Sequence, residues 1–188
     1  MDLLSDEQVM SEYVLGKIVR YNNRRRLQEE SVAEHTCFVT LFCLKIMAQL
    51  NLNHETERKV LILAALHDVA ESRTSDIPHD VKANYPEIKS ILDRIENDYY
   101  EEYWKNYLDE IQNPHELCYN ILKLADTYSV LQYCLNEQSL GNNSEDIKEI
   151  TAAARKRIMK YMDAIEENLE IQKIPENTGT LAPYWEDD

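Results

Sequence analysis

Long stretches of this chain lack residues that favour a turn, and this limits the fold more than any other feature of the sequence. Only 3 glycines and 5 prolines occur among 188 residues, and these two residue types mark turns most often. Between them, apolar side chains recur every three or four residues, which is the spacing of amphipathic helices. No alternating strand pattern and no internal repeat is visible. The sequence therefore predicts an all-α fold, a compact helical bundle in a single domain.

Turn residues and helix caps divide the chain into about six main helices. Ser31 and Glu34 form a capping box, in which each side chain satisfies a backbone amide at the start of the second helix. Pro86 and Pro114 suit the first turns of later helices, where a backbone amide has no partner in any case. The predicted helices span about 5–19, 32–50, 54–71, 86–111, 114–140 and 144–172, with a short helix around 79–84.

The end of the chain differs in composition from the rest. Residues 174–188 contain two prolines, a glycine and several acidic residues, so they are predicted to form a flexible acidic tail. Residues 1–173 then make up the folded domain.

Charge and composition exclude several classes of partner. The formal net charge is −15, and such an acidic surface repels nucleic-acid polymers and anionic membranes but not a small anion bound in a locally basic site. No apolar run reaches the ~18 residues of a membrane span. The N-terminus lacks the basic region of a signal peptide, and the four cysteines form no CxxC pair. We therefore expect a cytoplasmic protein with reduced thiols.

Two histidines and two aspartates fall at inward-facing positions of three predicted helices. His35 continues the apolar stripe of the second helix, and His67 with Asp68 ends that of the third, while Asp126 interrupts an apolar run in a later helix. A buried carboxylate without a partner costs several kcal/mol. A divalent cation would compensate, and a mixed nitrogen and oxygen set suits Co, Mn, Mg, Zn or Fe. Periodicity alone leaves hydrogen-bonded core histidines and half-exposed aspartates as an equal alternative.

Glu71 is a candidate general base beside this cluster. It follows His67 by four residues, which is one helical turn along the same face. A carboxylate placed there can take a proton from a water whose pKa a metal ion lowers. The alternative is an exposed residue in the last turn of the helix.

Three motifs in order carry a resemblance to a known superfamily. They are Glu34-His35, then the stretch 66–71 (LHDVAE), then 123–126 (KLAD). This H…HD…D pattern resembles the HD-domain phosphohydrolases, whose fold is a helical bundle.

The chain is more closely similar to the small bacterial 5′-deoxynucleotidases of that superfamily. The similarity includes Arg20-Tyr21, fifteen residues before the first histidine, and the stretch 30–35 (ESVAEH). It continues in 74–78 (TSDIP) with Lys82 after it, and it covers roughly residues 5–165.

The resemblance implies roles for individual residues. Glu71 would orient or activate the attacking water, and Arg20 would bind the phosphate as a planar bidentate donor. Asp76 would contact the deoxyribose or assist the leaving oxygen. Tyr21, which stands where the family usually has tryptophan, would stack on the sugar or base. The metal ligands would be His35, His67, Asp68 and Asp126, and Lys82 and Lys123 would add phosphate contacts.

The implied activity is removal of the 5′-phosphate from deoxyribonucleoside monophosphates. A first alternative keeps the site but hydrolyses deoxynucleoside triphosphates to nucleoside and triphosphate, with Lys82, Lys123 and the run Arg24–Arg26 serving the longer phosphate chain. A second alternative is a helical module without activity.

The resemblance also implies a homodimer. The predicted helix 86–111 contains a run of aromatic residues, which are Tyr99, Tyr100, Tyr103, Trp104 and Tyr107. These side chains could supply the dimer interface or could pack inside the monomer, and both interpretations stay open.

Overall fold

The computed structural model describes residue 10 and residues 12–169, with the backbone alone at residues 79 and 80. In this part of the chain the fold is all-α, as predicted, with a single β-bridge between Val19 and Ser31. Short 3₁₀ helices occupy Val14–Lys17 and Lys105–Tyr107. The α-helices are α1 (Val32–Leu50), α2 (His54–Leu66), α3 (Glu71–Thr74), α4 (His79–Asn84), α5 (Pro86–Tyr103), α6 (Leu108–Gln112), α7 (Glu116–Ser139) and α8 (Glu145–Leu169).

Three predicted segments fall partly or wholly outside the described residues. They are the tail 174–188, residues 5–9 and 11 of the first predicted helix, and residues 170–172 of the last. The prediction of a domain boundary near residue 173 therefore stays a prediction.

Most of the predicted capping and turn residues begin or end helices, and Pro86 is the first residue of α5. Pro114 does not open a helix as predicted: α7 begins at Glu116, with His115 as its N-cap. The amide of Glu34 donates to Ser31 Oγ at 3.2 Å, and the Ser31 amide donates to the Glu34 carboxylate at 2.8 Å, which closes the capping box before α1. Asn51 ends α1 in the left-handed conformation with a φ of 49°, and the Asn53 side chain caps α2. Gly141 follows α7 with a φ of 101°, a positive value that glycine adopts without strain.

The main core lies between α1, α2, α7 and α8. Its centre consists of fully buried aliphatic and thiol side chains on these helices, with α7 in contact with the other three. Burying α7 on several sides fits its long apolar sequence. Among its core side chains are Val39, Cys43, Val60, Ile121, Leu124 and Ile158.

A second core cluster settles the position of two tyrosines. Tyr99 and Tyr100 of α5 are buried against Leu66, Val69 and Leu15 within the chain. These two aromatic rings therefore pack inside the monomer, while Tyr107 is exposed.

Three helices are shorter than the sequence predicts. The predicted helix 5–19 gives way to a 3₁₀ helix at Val14–Lys17, and Val19 pairs with Ser31 in a β-bridge. The predicted helix 54–71 ends at Leu66, and residues 67–70 form a tight turn in which the amide of Val69 donates to the Leu66 carbonyl at 3.2 Å. The Tyr100 hydroxyl also donates to that carbonyl, at 2.7 Å, which takes the place of a further helical bond. The predicted helix 86–111 is interrupted at Trp104, whose φ of −125° is not helical. None of the described helices is long and apolar enough to cross a membrane.

Candidate active site

The fold brings three of the predicted metal ligands to one point. His35 lies in the first turn of α1, and His67 and Asp68 begin the tight turn after α2. The Nε2 atoms of the two histidines are 3.4 Å apart. Asp68 Oδ2 lies 3.3 Å from His67 Nε2 and 3.5 Å from His35 Nε2. One donor atom from each residue falls within 4.8 Å of the others, so the group can hold a metal ion.

Asp126 reaches the same cluster from the middle of α7. Its Oδ1 atom lies 3.3 Å from His35 Nε2. The side chain keeps about a quarter of its surface exposed, as does that of Asp68, whereas the His35 side chain is almost fully buried. The carboxylates therefore form the open side of the site, and the imidazoles form its closed side.

The hydrogen bonds of the two imidazoles leave lone pairs facing each other. His67 Nδ1 lies 2.8 Å from the carbonyl oxygen of Ala64, which can only accept, so Nδ1 carries the proton. His35 Nδ1 lies 3.0 Å from Ser129 Oγ, which can accept in the same way. When Ser129 accepts from His35, both Nε2 atoms are acceptors, and the carboxylates beside them are acceptors too. A cation fits such a set of acceptors, and outer hydrogen bonds of this kind orient metal-binding histidines.

The electrostatics of the cluster favour a positive charge at its centre. Burial and the Arg20 guanidinium lower the pKa of His35, which keeps its ring neutral. Burial alone would lower the pKa of His67, but the Asp68 and Asp126 carboxylates raise it above its ordinary value. Burial opposes ionisation of both aspartates as well, yet the neighbouring histidines hold the pKa of Asp68 and of Asp126 well below the ordinary value.

Glu71 lies beside this cluster at the start of α3. Glu71 is only 9% exposed. Burial, together with the negative charges of Asp68 and Asp76, raises its pKa to about 9. The amide of Glu71 donates to the Asp68 carbonyl at 3.1 Å, so a tight turn and not a continuous helix positions it. Lys82 is near enough to lower the pKa of Glu71 in part. Asp76 and Lys82 thus lie within electrostatic range of Glu71.

Arg20 presents a buried guanidinium to the cluster. Its Nη1 atom lies 4.0 Å from Asp68 Oδ2, and its Nε atom lies 3.9 Å from Glu30 Oε1. Both nitrogens are buried, and neither has a hydrogen-bond acceptor among the described residues. An arginine can only donate, so an anion next to Asp68 would satisfy it.

The Tyr21 ring packs against the Arg20 guanidinium. The Tyr21 backbone is left-handed, with a φ of 55°, and its ring stacks on Tyr133 with centroids 4.3 Å apart. The Arg20 guanidinium carbon lies 5.4 Å from the centroid of the Tyr21 ring. One face of the ring is therefore covered by Tyr133, which the sequence did not indicate.

Lys123 lies on the other side of the cluster. Its Nζ atom is 3.5 Å from Asp126 Oδ2. With His67 it lines a cavity of about 450 Å³ that also includes Glu96, Asn97 and Tyr119. A positive side chain thus lies at the boundary between the metal cluster and an open cavity.

Sequence reasoning missed two residues that contact the site. Ser129 lies three residues after Asp126, and helical spacing would have placed both on one face of α7. Glu30 is 8% exposed, with its Oε1 atom 4.0 Å from His35 Nδ1. Its position in the stretch 30–35, next to the capping box, could have indicated it.

The chain is similar to characterised phosphohydrolases along most of its length. A family model described as 5′-deoxynucleotidase YfbR-like matches residues 12–174. A 5′-deoxynucleotidase of Photorhabdus laumondii is 29% identical over 148 residues, which cover 69% of this chain and 72% of the relative. A dATP triphosphohydrolase of cyanophage S-2L is 29% identical over 136 residues, which cover 72% of this chain and 73% of the relative.

A solved structure has a similar fold. It is the HD phosphohydrolase of cyanophage S-2L bound to dA and one catalytic Zn²⁺, with a TM-score of 0.64 and 18% identity. The likeness covers 90% of this chain and 96% of that one. At this identity the likeness concerns the fold.

Proposed function

The chain belongs to the YfbR-like 5′-deoxynucleotidase family, and from this premise we propose that it removes the 5′-phosphate from deoxyribonucleoside monophosphates. The products are a deoxyribonucleoside and inorganic phosphate. The substrate is a small molecule, and the reaction is hydrolysis of a phosphate ester at the cluster of His35, His67, Asp68 and Asp126.

One observation carries this proposal. Two histidine nitrogens and an Asp68 oxygen converge as acceptors within 3.5 Å of one another, and an unsatisfied Arg20 guanidinium lies 4.0 Å from Asp68 Oδ2. An acceptor cluster fits a cation, and a donor-only group beside it fits an oxyanion. A divalent cation held by the acceptors, with a phosphate ester bound between it and Arg20, would satisfy both.

The proposed roles follow from the position of each side chain. Arg20 binds phosphoryl oxygens, because its planar donors match their geometry. A bound cation would lower the pKa of Glu71, which burial raises in the metal-free protein, and the ionised carboxylate would then accept the proton of the attacking water. Asp76 contacts the sugar or the leaving oxygen. Lys82 and Lys123 add positive charge around the phosphate, and Tyr21 supports Arg20 from below.

A divalent metal completes the site. When bound, it supplies Lewis-acid charge and lowers the pKa of a coordinated water. His35, His67, Asp68 and Asp126 would hold it, and this mixed donor set suits Co, Mn, Mg, Zn or Fe. The related cyanophage structure carries one catalytic Zn²⁺, which supports a divalent ion without fixing its identity here.

The triphosphohydrolase remains a second candidate because a dATP triphosphohydrolase is among the relatives. Two residues of the run Arg24–Arg26, which could serve a longer phosphate chain, are engaged elsewhere. Arg24 lies 3.4 Å from Asp146, and Arg26 donates to the Tyr21 carbonyl at 3.2 Å and to Glu29 at 3.4 Å. This arrangement favours the monophosphate.

Product analysis with purified protein tests the choice. The protein is incubated with dAMP and with dATP in Mn²⁺, Co²⁺, Mg²⁺ or Zn²⁺, and the products are separated. We expect inorganic phosphate from dAMP. Free triphosphate from dATP, without turnover of dAMP, would replace the proposal by the second candidate. No turnover of either nucleotide would favour a module without activity.

Two further proposals concern the state of the protein in the cell. We propose a homodimer, which light scattering after size-exclusion chromatography would test; a monomer at all concentrations would contradict it. We also propose a cytoplasmic location, and the four cysteines, which form no disulfide, are compatible with a reducing compartment.

A further inference from the structure

A loop of ten residues, 21–30, follows Arg20, the residue proposed to bind the phosphate. The loop ends at Glu30, just before the capping box of α1. The amide of Arg20 donates to the Glu30 carbonyl at 2.9 Å, and the amide of Val32 donates to the Ile18 carbonyl at 3.0 Å. These bonds fix the two ends of the loop, and within its distal part, residues 25–28, the Arg26 side chain donates to the Tyr21 carbonyl at 3.2 Å. The amides of Leu27 and Gln28, however, need an acceptor from outside the loop.

That support comes from a glutamate more than 100 residues away. Glu137, near the end of α7, is fully buried. Its carboxylate accepts from the Leu27 amide at 3.0 and 2.9 Å and from the Gln28 amide at 2.8 Å. Asn142, in the turn after α7, donates to the same carboxylate at 2.6 Å.

Asn142 closes a second connection to the loop. Its side-chain amide also donates to the Arg25 carbonyl at 3.1 Å. Glu137 and Asn142 together thus satisfy backbone groups of Arg25, Leu27 and Gln28. These are three of the four residues in the distal part of the loop.

The charge of Glu137 matches its surroundings. All three of its partners are N–H donors, and both carboxylate oxygens accept. Burial of a charge is unfavourable unless hydrogen bonds compensate for it, and here donors from two different segments do so. A glutamine at this position would turn one acceptor into a donor that faces other donors.

One helical turn earlier, α7 supports the beginning of the loop. Tyr133 stacks on Tyr21 at 4.3 Å, and its hydroxyl donates to the Gln28 carbonyl at 3.4 Å. Tyr21 in turn lies under the Arg20 guanidinium. A continuous set of contacts therefore leads from Glu137 through the loop to the side chain that faces Asp68.

We propose that Glu137 is a positioning residue for phosphate binding, because it fixes the loop so that Arg20 points at the metal cluster. The inference rests on the proposed function, since it takes Arg20 to bind the phosphate. Glu137 contacts none of the proposed ligands or substrate-binding side chains directly, so its effect passes through the backbone of the loop.

The test compares three properties of Glu137→Gln with those of the wild type. They are hydrogen exchange of the Leu27 and Gln28 amides, inhibition by inorganic phosphate, and affinity for Mn²⁺. We expect exchange at least about tenfold faster and phosphate inhibition about tenfold weaker, with Mn²⁺ affinity unchanged. Glu145→Gln, a matched change at an exposed glutamate, should alter none of them.

Two results would overturn the inference. One is phosphate inhibition as strong as in the wild type. The other is a loss of Mn²⁺ affinity as large as the loss of phosphate binding, which would mean general destabilisation. If Glu137→Gln does not fold, Asn142→Ala decides in its place, because it removes one donor and leaves the carboxylate with its two backbone partners. Wild-type phosphate inhibition in Asn142→Ala would then contradict the inference.

Arg20→Ala separates this inference from the proposed function. If Arg20→Ala leaves phosphate inhibition unchanged, the role of Arg20 is wrong, whatever Glu137 does. If Arg20→Ala weakens inhibition and Glu137→Gln does not, Arg20 binds phosphate but Glu137 does not position it.

Discussion

Ser129 Oγ lies 3.0 Å from Nδ1 of His35, in the buried interior of the chain. The contact fixes the plane of the imidazole and directs its Nε2 atom toward Asp68 and Asp126. Since Ser129 and Asp126 lie one turn apart on α7, a single helix supplies both a proposed metal ligand and the side chain that orients another. α7 therefore contributes to the proposed metal site twice, through Asp126 and through Ser129.

The first prediction concerns this hydrogen bond. Ser129→Ala removes the partner of His35 Nδ1 but leaves every proposed ligand in place. We expect metal affinity to fall about tenfold, the lower end of what outer-shell partners contribute, measured by calorimetric titration with Mn²⁺. Ser139→Ala, on an exposed turn of the same helix, serves as the control. Equal affinities in Ser129→Ala and wild type would show that Ser129 does not orient the ring.

The second prediction concerns Glu71. Glu71→Gln keeps the shape of the side chain but cannot accept the proton of the attacking water. We expect kcat to fall by about 10² to 10⁴, with Mn²⁺ affinity retained, because Glu71 is not among the proposed ligands. Steady-state kinetics on dAMP measures the first quantity and titration the second. Wild-type kcat in the variant would remove Glu71 from the proposed chemistry.

The third prediction concerns Arg20. Arg20→Lys retains the charge but replaces a planar fork of donors by a point charge. We expect KM for dAMP to rise about tenfold, because bidentate contacts to the phosphate are lost. Arg94→Lys, at an exposed position of α5, should leave KM unchanged. If both variants behave alike, the phosphate is bound elsewhere.

The fourth prediction concerns pH and the metal-free protein. Burial beside Asp68 and Asp76 raises the pKa of Glu71 from 4.5 to about 9. Between these two pH values the folded chain holds a proton that the unfolded chain has released, so this contribution to stability is complete below pH 4.5 and is lost as the pH rises toward 9. Glu71→Gln removes that contribution.

Thermal unfolding of chelated protein measures this effect. We expect the Tm of the wild type to decrease more steeply than that of Glu71→Gln between about pH 5 and pH 9, by roughly 2–4 °C for each kcal/mol of stability lost. Parallel curves for the two proteins would contradict the assignment of a raised pKa to Glu71.

Local signals in the sequence were sufficient for much of the fold and for the proposed metal ligands. The capping box of Ser31 and Glu34 depends on residues three apart, and it begins α1 as predicted. His35 and Asp126 occupy core-facing positions of helices, so helical periodicity indicated their direction. The sequence could also place His67 next to Asp68, because the two are adjacent in the chain.

Contacts between distant segments could not be predicted in this way. The turn after Leu66 depends on a hydrogen bond from Tyr100, 34 residues later. Glu137 accepts a hydrogen bond from the Leu27 amide, 110 residues away in the sequence. Nothing in the sequence around either residue indicates this contact. The position of Glu30 near His35 and Arg20 likewise depends on how the loop folds back.

The most direct test of the account is the metal dependence of phosphate release from dAMP, measured in wild type and in Asp68→Ala. The protein is treated with a chelator, and Mn²⁺ is then returned in steps while inorganic phosphate is assayed. We expect chelation to abolish release and Mn²⁺ to restore it in the wild type alone. Release that persists after chelation, or that returns fully in Asp68→Ala, would contradict the metal site at His35, His67, Asp68 and Asp126.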